Sequence, residues 1–352
     1  NFGSYSAITT YYFNNWLLNN FGTGVLVSTF GDPDLAWQRT LDKNIGLDLS
    51  MFSNRFHVTF DFYHKRTDPL IADIGVPVSM GVSTRRTNIG VQVDKGFNGS
   101  VRYAILYKPQ ESINYTMSVN FRYGTAHYED IGRSLNAYNQ ENISKNLTRY
   151  YDGGSPTALW AVRSRGIDPA TGQEIFVKKD GTLTYTFDYD DEVEVGDSRP
   201  TLEGVWGNTL YYKGWSASLQ LRYSFGADVF NSTLFNKVEN ISSGSITTNQ
   251  DKRALYDRWK KPGDKAKFKS ISLTETTPMS SRFVMKENYL AIESVRVGYQ
   301  FNTKWLKKNL KISSLNINMY MNSIARFSTL EDERGLYYPF AQSISFSLGA
   351  IL

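Results

Sequence analysis

The feature that most narrows the choice of fold is a strict period of two, repeated over segments that are long for a strand. In RFHVTFDFYHK (Arg55 to Lys65) the apolar residues Phe56, Val58, Phe60 and Phe62 stand at every second position, with Arg55, His57, Thr59 and Asp61 between them. Successive side chains of an extended chain point to opposite faces, so this is a strand with one apolar and one polar face. Two surroundings suit it. In a soluble β-sandwich the apolar face packs on a second sheet; in a bilayer it meets acyl chains.

The same pattern recurs along the chain. NIGLDLSMF alternates Ile45, Leu47, Leu49 and Met51 against Asn44, Gly46, Asp48 and Ser50, and only Ser53 and Asn54 then separate it from the opening strand, a tight-hairpin spacing. VRYAILY (Val101 to Tyr107) is followed by NYTMSVNFRYG, with Tyr115, Met117, Val119, Phe121 and Tyr123 on one face. TLYYKGWSASLQLRYSF carries Lys213 and Gly214 as a turn and then Trp215, Ala217, Leu219, Leu221, Tyr223 and Phe225 in phase. ESVRVGYQF, SLNINMYM and the terminal SISFSLGAIL continue the series, and with the opening NFGSYSAITTYYF they make about ten strands.

These runs are about 9 to 13 residues long, against roughly 9 to 11 needed to cross hydrocarbon at a tilt and 5 to 6 in soluble sheets. The connections are lopsided. Short links (Ser53 to Asn54, Lys108 to Ile113, Lys213 to Gly214, Asn302 to Asn309) alternate with long polar ones at about 16–42, 66–87, 126–201, 227–288 and 323–342. Short turns on one side and long loops on the other are the layout of a bacterial outer-membrane barrel, and structureless loops of that length are uncommon in soluble domains. The expected fold is therefore all-β, a transmembrane antiparallel barrel, with Phe56, Val58, Phe60 and Phe62 against lipid.

Composition agrees where it discriminates. The 23 Tyr, 21 Phe and 7 Trp fit aromatic girdles at two membrane interfaces. No apolar run reaches the roughly 18 residues of a membrane helix, and the averaged hydropathy of a barrel looks soluble because its two faces cancel. The absence of cysteine removes thiolate metal sites, thiol catalysis and disulfides. A formal charge of +5 with the signs interspersed leaves no nucleic-acid footprint. The first residues already read as strand, as in a chain met part-way.

Longer motifs carry a family resemblance. DPDLAWQRTLDKNIGLDLSMFSNRFHVTFDFYHKRTDPLI (Asp32 to Ile71) resembles a stretch shared by the SusC/RagA family of TonB-dependent outer-membrane transporters of Bacteroidetes. Further blocks follow in the family's order: TNIGVQVDKGFNGSV (Thr87 to Val101), YYDGGSPTALWAVRSRGIDPATGQEIFVKKDGT (Tyr150 to Thr182), GDSRPTLEGVWGNTLYYKGW (Gly196 to Trp215), NQDKRALYDRWKKPGDKAKFK (Asn249 to Lys269), SSRFVMKENYLAIESVRVGYQF (Ser280 to Phe301) and ERGLYYPFAQSISFSLG (Glu333 to Gly349). The resemblance covers nearly the whole chain. It implies the C-terminal part of a barrel of about 22 strands, with the plug, the TonB-coupling segment and the first half of the wall outside residues 1–352. Leu352 stands where such barrels usually end on an aromatic, in phase with Phe346.

The resemblance also implies TonB-dependent import of nutrient oligomers, glycans first and peptides as the alternative, with a SusD-like surface lipoprotein closing over the barrel. A passive channel and a soluble adhesin-like β-protein are the other classes the residues leave open. Neither an enzyme nor an organic cofactor is expected. His57 and Asp61 share a strand face but lie too far apart for a catalytic or metal pair. DYDDEVEVGD (Asp188 to Asp197) lacks EF-hand spacing and reads as a solvated extracellular loop, with calcium as its only cofactor reading. DRWKKPGDKAKFK (Asp257 to Lys269) reads as a loop turning at Pro262 and Gly263. Asn142, Asn146 and Asn240 match a glycosylation pattern by chance. Because aromatic faces suit sugar rings, the ligand- or partner-facing candidates are Tyr150, Tyr151, Trp160, Tyr256 and Trp259 in the long loops, each with loop packing as its competing role.

Overall fold

A computed structural model describes residues 8–19, 22–77, 79, 81–241, 243–245, 247–271, 275–331 and 342–351. A hairpin comes first, β1 (Thr10–Asn19) with β2 (Gly22–Thr29). β3 (Arg39–Met51) and β4 (Phe56–Asp68) follow, then a second small hairpin, β5 (Leu70–Gly75) with β6 (Thr84–Ile89), then β7 (Val91–Lys108) and β8 (Ile113–Glu129). A short helix, α1 (Asn136–Asn142), precedes a four-stranded sheet of β9 (Ala158–Ile167), β10 (Glu174–Val177), β11 (Leu183–Thr184) and β12 (Glu192–Asp197). The last strands are β13 (Leu202–Tyr212), β14 (Trp215–Phe230), β15 (Val284–Phe301), β16 (Ser314–Ser328) and β17 (Ile344–Ile351).

Nine of these form one antiparallel sheet in the order β3, β4, β7, β8, β13, β14, β15, β16, β17, so each wall strand pairs with the next along the chain. The register keeps the apolar rows together. Leu49 pairs with Val58, Val58 with Val101, Val101 with Val119, Val119 with Trp206 and Trp206 with Leu221. Even a glycine in this face is covered: a Cβ at Gly99 would fall 2.2 Å from the Phe121 ring, which lies across it. The opposite face is hydrogen-bonded, with Thr59 donating to Ser100, Arg296 to Asn318, and Tyr320 sharing a hydrogen bond with Ser347. His57 engages Ser50 and Asp48 across the β3–β4 pair.

No second sheet covers the apolar face among the described residues, and even on inner strands Phe62 is 45% exposed and Trp206 40%. That removes the sandwich. The buried apolar clusters lie in the connecting segments on the long-loop side: Ile89 with Ile131 and Leu135, Leu147 with Leu159 and Ala161, and Val238 with Phe268 and Phe283.

Several expectations change. The N-terminal strand does not join the wall; it pairs with β2, because GTGVLVST follows it closely enough to fold back. The segments 16–42, 66–87 and 126–201 are not structureless, since the first holds the end of β1 and all of β2, the second β5 and most of β6, and the third the β9–β12 sheet. Wall strands overrun their expected ends, β7 and β15 reaching 18 residues each, well beyond the roughly 9 to 11 that span hydrocarbon. The link at Ser53 and Asn54 widens to residues 52–55, with Phe52, Ser53 and Asn54 all at positive φ. The link begun at Asn302 extends to residue 313 around a single π-turn, Leu306–Leu310. The turns at Lys108 to Ile113 and at Lys213 and Gly214 fall where expected. Residues 1–7 of the opening strand, 332–341 of the last long loop, and Leu352 lie outside the described residues.

Candidate functional site: the long-loop face

Buried ion pairs organise this end of the molecule. Arg149 is fully buried and grips the Glu192 carboxylate with two hydrogen bonds of 3.0 and 2.9 Å, while its remaining N–H groups reach the carbonyls of Ile143, Asn146 and Thr148. Burial pushes the Glu192 carboxyl up, against the pull of Arg149. A bidentate guanidinium with its other donors satisfied is the geometry in which a buried pair holds its place, and here it fastens the segment before β9 to β12.

Arg282 makes a second junction. Its guanidinium donates to Glu174 and to Glu239, each at 2.8 Å, and lies 4.5 Å from the Phe283 ring. Burial alone would lower the arginine's pKa; the two carboxylates outweigh it and raise it. Ser280 and Thr277 donate to the same carboxylates. Arg258 closes the neighbouring loop, donating to the carbonyls of Ala254, Lys269 and Val238.

The five aromatic candidates separate on this frame. Tyr151 and Trp160 come together with ring centroids 4.7 Å apart and line an open cleft of about 310 Å³ with Tyr189, Lys179, Asp190 and Gln140. The Trp160 indole N–H, buried at the atom, has no acceptor among the described residues. Tyr256 is 63% exposed and borders a different, more apolar cleft of about 470 Å³ lined by Leu234, Phe268, Phe283 and Met285. Tyr150 packs between Tyr128 and Tyr138, its backbone clamped by the Asn139 amide. Trp259 lies over Gly172, where a Cβ would come within 2.5 Å of the indole, and donates to the Pro169 carbonyl.

Sequence reading passed over Tyr189, Lys179 and Gln140. Only Tyr189 left a trace, as an aromatic inside the acidic run. That run is spent on local contacts: Asp188 caps the turn at Asp190, Asp191 accepts from the Lys179 N–H, and Asp197 accepts from Thr157. Among the described residues no three His, Cys, Asp or Glu side chains gather as a metal site would need. The basic segment turns as expected, with Gly263 at positive φ and Asp264 accepting from the Lys260 and Lys261 N–H groups.

No protein-family model matches the chain. TonB-dependent receptor P39 of Formosa agariphila is 24% identical over 375 residues, covering 94% of this chain and 35% of that protein. TonB-dependent receptor SusC of Bacteroides thetaiotaomicron is 22% identical over 302 residues, covering 80% of this chain and 28% of that protein. Its homologues are TonB-dependent receptors, SusC among them. The RagAB peptide transporter matches in fold with a TM-score of 0.78 at 20% identity, over 93% of this chain and 36% of that one, and the importer's closed-closed state gives 0.78 over 92% and 35%. The chain thus spans about a third of the length of the relatives it matches, and its two-faced sheet has the fold of part of such a transporter.

Proposed function

We propose that the protein containing this chain is a TonB-dependent importer of nutrient oligomers in the outer membrane, working with a SusD-like surface lipoprotein. The observation that carries it is the nine-stranded wall, apolar and uncovered on one face, hydrogen-bonded on the other, with short turns at one end and buried-arginine-braced loops at the other. An uncovered apolar face suits acyl chains. An open sheet in lipid would leave two edges unpaired, so we place the remaining strands and the plug in the two-thirds of the relatives' length that this chain does not span. TonB would act through that missing portion.

The cargo in this reading is a glycan, for which Tyr151, Trp160 and Tyr189 offer stacking faces and Lys179, Asp190 and Gln140 polar partners within one cleft. A peptide cargo is the second reading, favoured by the fold likeness to the RagAB peptide transporter. Cells deleted for the intact gene should lose uptake of one class of labelled oligomer, oligosaccharide or oligopeptide, and regain it on complementation. Tyr151→Ala with Trp160→Ala should lower that uptake about tenfold or more, since each stacked ring is worth about 1 kcal/mol or above. Uptake of both classes unchanged by the deletion would end the proposal.

A further inference from the structure

We infer that the turn between β15 and β16 is a docking surface for anionic phospholipid headgroups at the short-turn side of the membrane. The segment Asn302 to Ser313, NTKWLKKNLKIS, carries Lys304, Lys307, Lys308 and Lys311, all exposed and none of them ion-paired among the described residues. Cations at neighbouring turns of the same end are engaged: Lys108 pairs with Glu111 at 3.2 Å, and Lys213 lies 5.5 Å from the Tyr212 ring. The free charge is concentrated in this one turn.

A lysine-rich turn in water needs no apolar groups on its surface. This one exposes Trp305 (61%) and Leu310 (51%), while Leu306 is buried and fixes the π-turn to the body of the protein. The backbone is held too, with Lys311 at positive φ returning its N–H to the Leu306 carbonyl. The turn also continues an aromatic row that ends the uncovered apolar face: Trp215 lies 4.9 Å from Tyr299, and Tyr299 4.6 Å from Phe301, four residues before Trp305. Exposed tryptophan and leucine beside clustered lysines are what an interfacial segment presents, the rings and alkyl groups entering the headgroup boundary and the ammonium groups meeting phosphate. The site rests on the membrane-wall reading above, and commits to the phospholipid of the leaflet that the short turns reach.

The test uses the full-length protein in detergent, titrated with phosphatidylglycerol, phosphatidylethanolamine or lipid A, with retained lipid counted by native mass spectrometry. The parent protein should retain phosphatidylglycerol in preference to phosphatidylethanolamine, less so at high salt. Replacing all four lysines with glutamine should abolish that preference, and single replacements should weaken it by about fivefold each, which keeps the test open if the fourfold variant does not fold. Heat-modifiable gel mobility reports folding independently. Unchanged phosphatidylglycerol retention in folded variants, or retention of lipid A through these lysines instead, would overturn the inference. Failure of the protein to fold into phosphatidylethanolamine bilayers would instead overturn the membrane-wall reading.

Discussion

Phe60 and Thr59 are adjacent in the chain and stand on opposite faces of the wall. Phe60 stacks on Phe97 at 5.5 Å in the uncovered face, while Thr59 donates to Ser100 on the other. Phe60→Arg should therefore cost about 2 to 4 kcal/mol in folding titrations of the intact barrel, and Thr59→Arg about 1 kcal/mol or less; the reverse order would put lipid on the wrong face. Arg282→Met should strand two carboxylates and cost about 3 to 5 kcal/mol, seen as new protease cleavage between residues 240 and 280 with the wall intact. Asp32 supplies a pH dependence. The Thr87 hydroxyl, against the counter-effect of burial, and then the Asp34 N–H and Arg85 hold its carboxyl below the usual range. A depressed folded pKa contributes stability that is present above the unfolded value, about 3.9, and is lost as pH falls through the folded one. The protection of β6 amides, taken relative to the intrinsic exchange rate at each pH, should thus be unchanged from pH 7 to 5 and fall as the pH drops below the unfolded value, a response that Asp32→Asn should abolish. Phe60 was legible in the sequence because period two needs only local spacing. Arg282 was not, since its partners Glu174 and Glu239 lie 108 and 43 residues away.

Elements divide in the same manner. The β13–β14 hairpin was readable to the residue because Lys213 and Gly214 adopt the paired positive φ values, 46° and 91°, of a two-residue turn between alternating strands. The β9–β12 sheet was hidden. In TALWAV the residues Ala158, Leu159, Ala161 and Val162 are all buried, so no alternation marks the strand. Of the β1–β2 hairpin the opening strand was readable but β2, with Gly22 and Gly24, reads as loop, and the β5–β6 hairpin is hidden by Gly75, Pro77 and Gly81 around its turn. Sidedness belongs to this scale. With short turns in the periplasm, epitope tags at Asn54 and Lys213 should be inaccessible in intact cells, and tags at Asp190 and Asp257 accessible. Surface labelling at Lys213 would invert the arrangement.

The whole molecule places its apolar surface and its apolar cores at different ends. The wall leaves its hydrophobic face uncovered, and the three buried clusters stiffen the loops that stand beyond it. On the proposed function such a wall gives an oligomer somewhere to pass, and the braced loops give it somewhere to be held. Neither supplies work. The outer membrane has no ATP, so on the proposed function inward movement against a plug would draw on the inner membrane through TonB. The direct measurement is uptake of the labelled oligomer in cells with and without functional TonB, with transporter and partner expression matched. Uptake should fall to the level of a strain lacking the transporter when TonB is uncoupled; uptake that is the same in both would make the protein a diffusion channel.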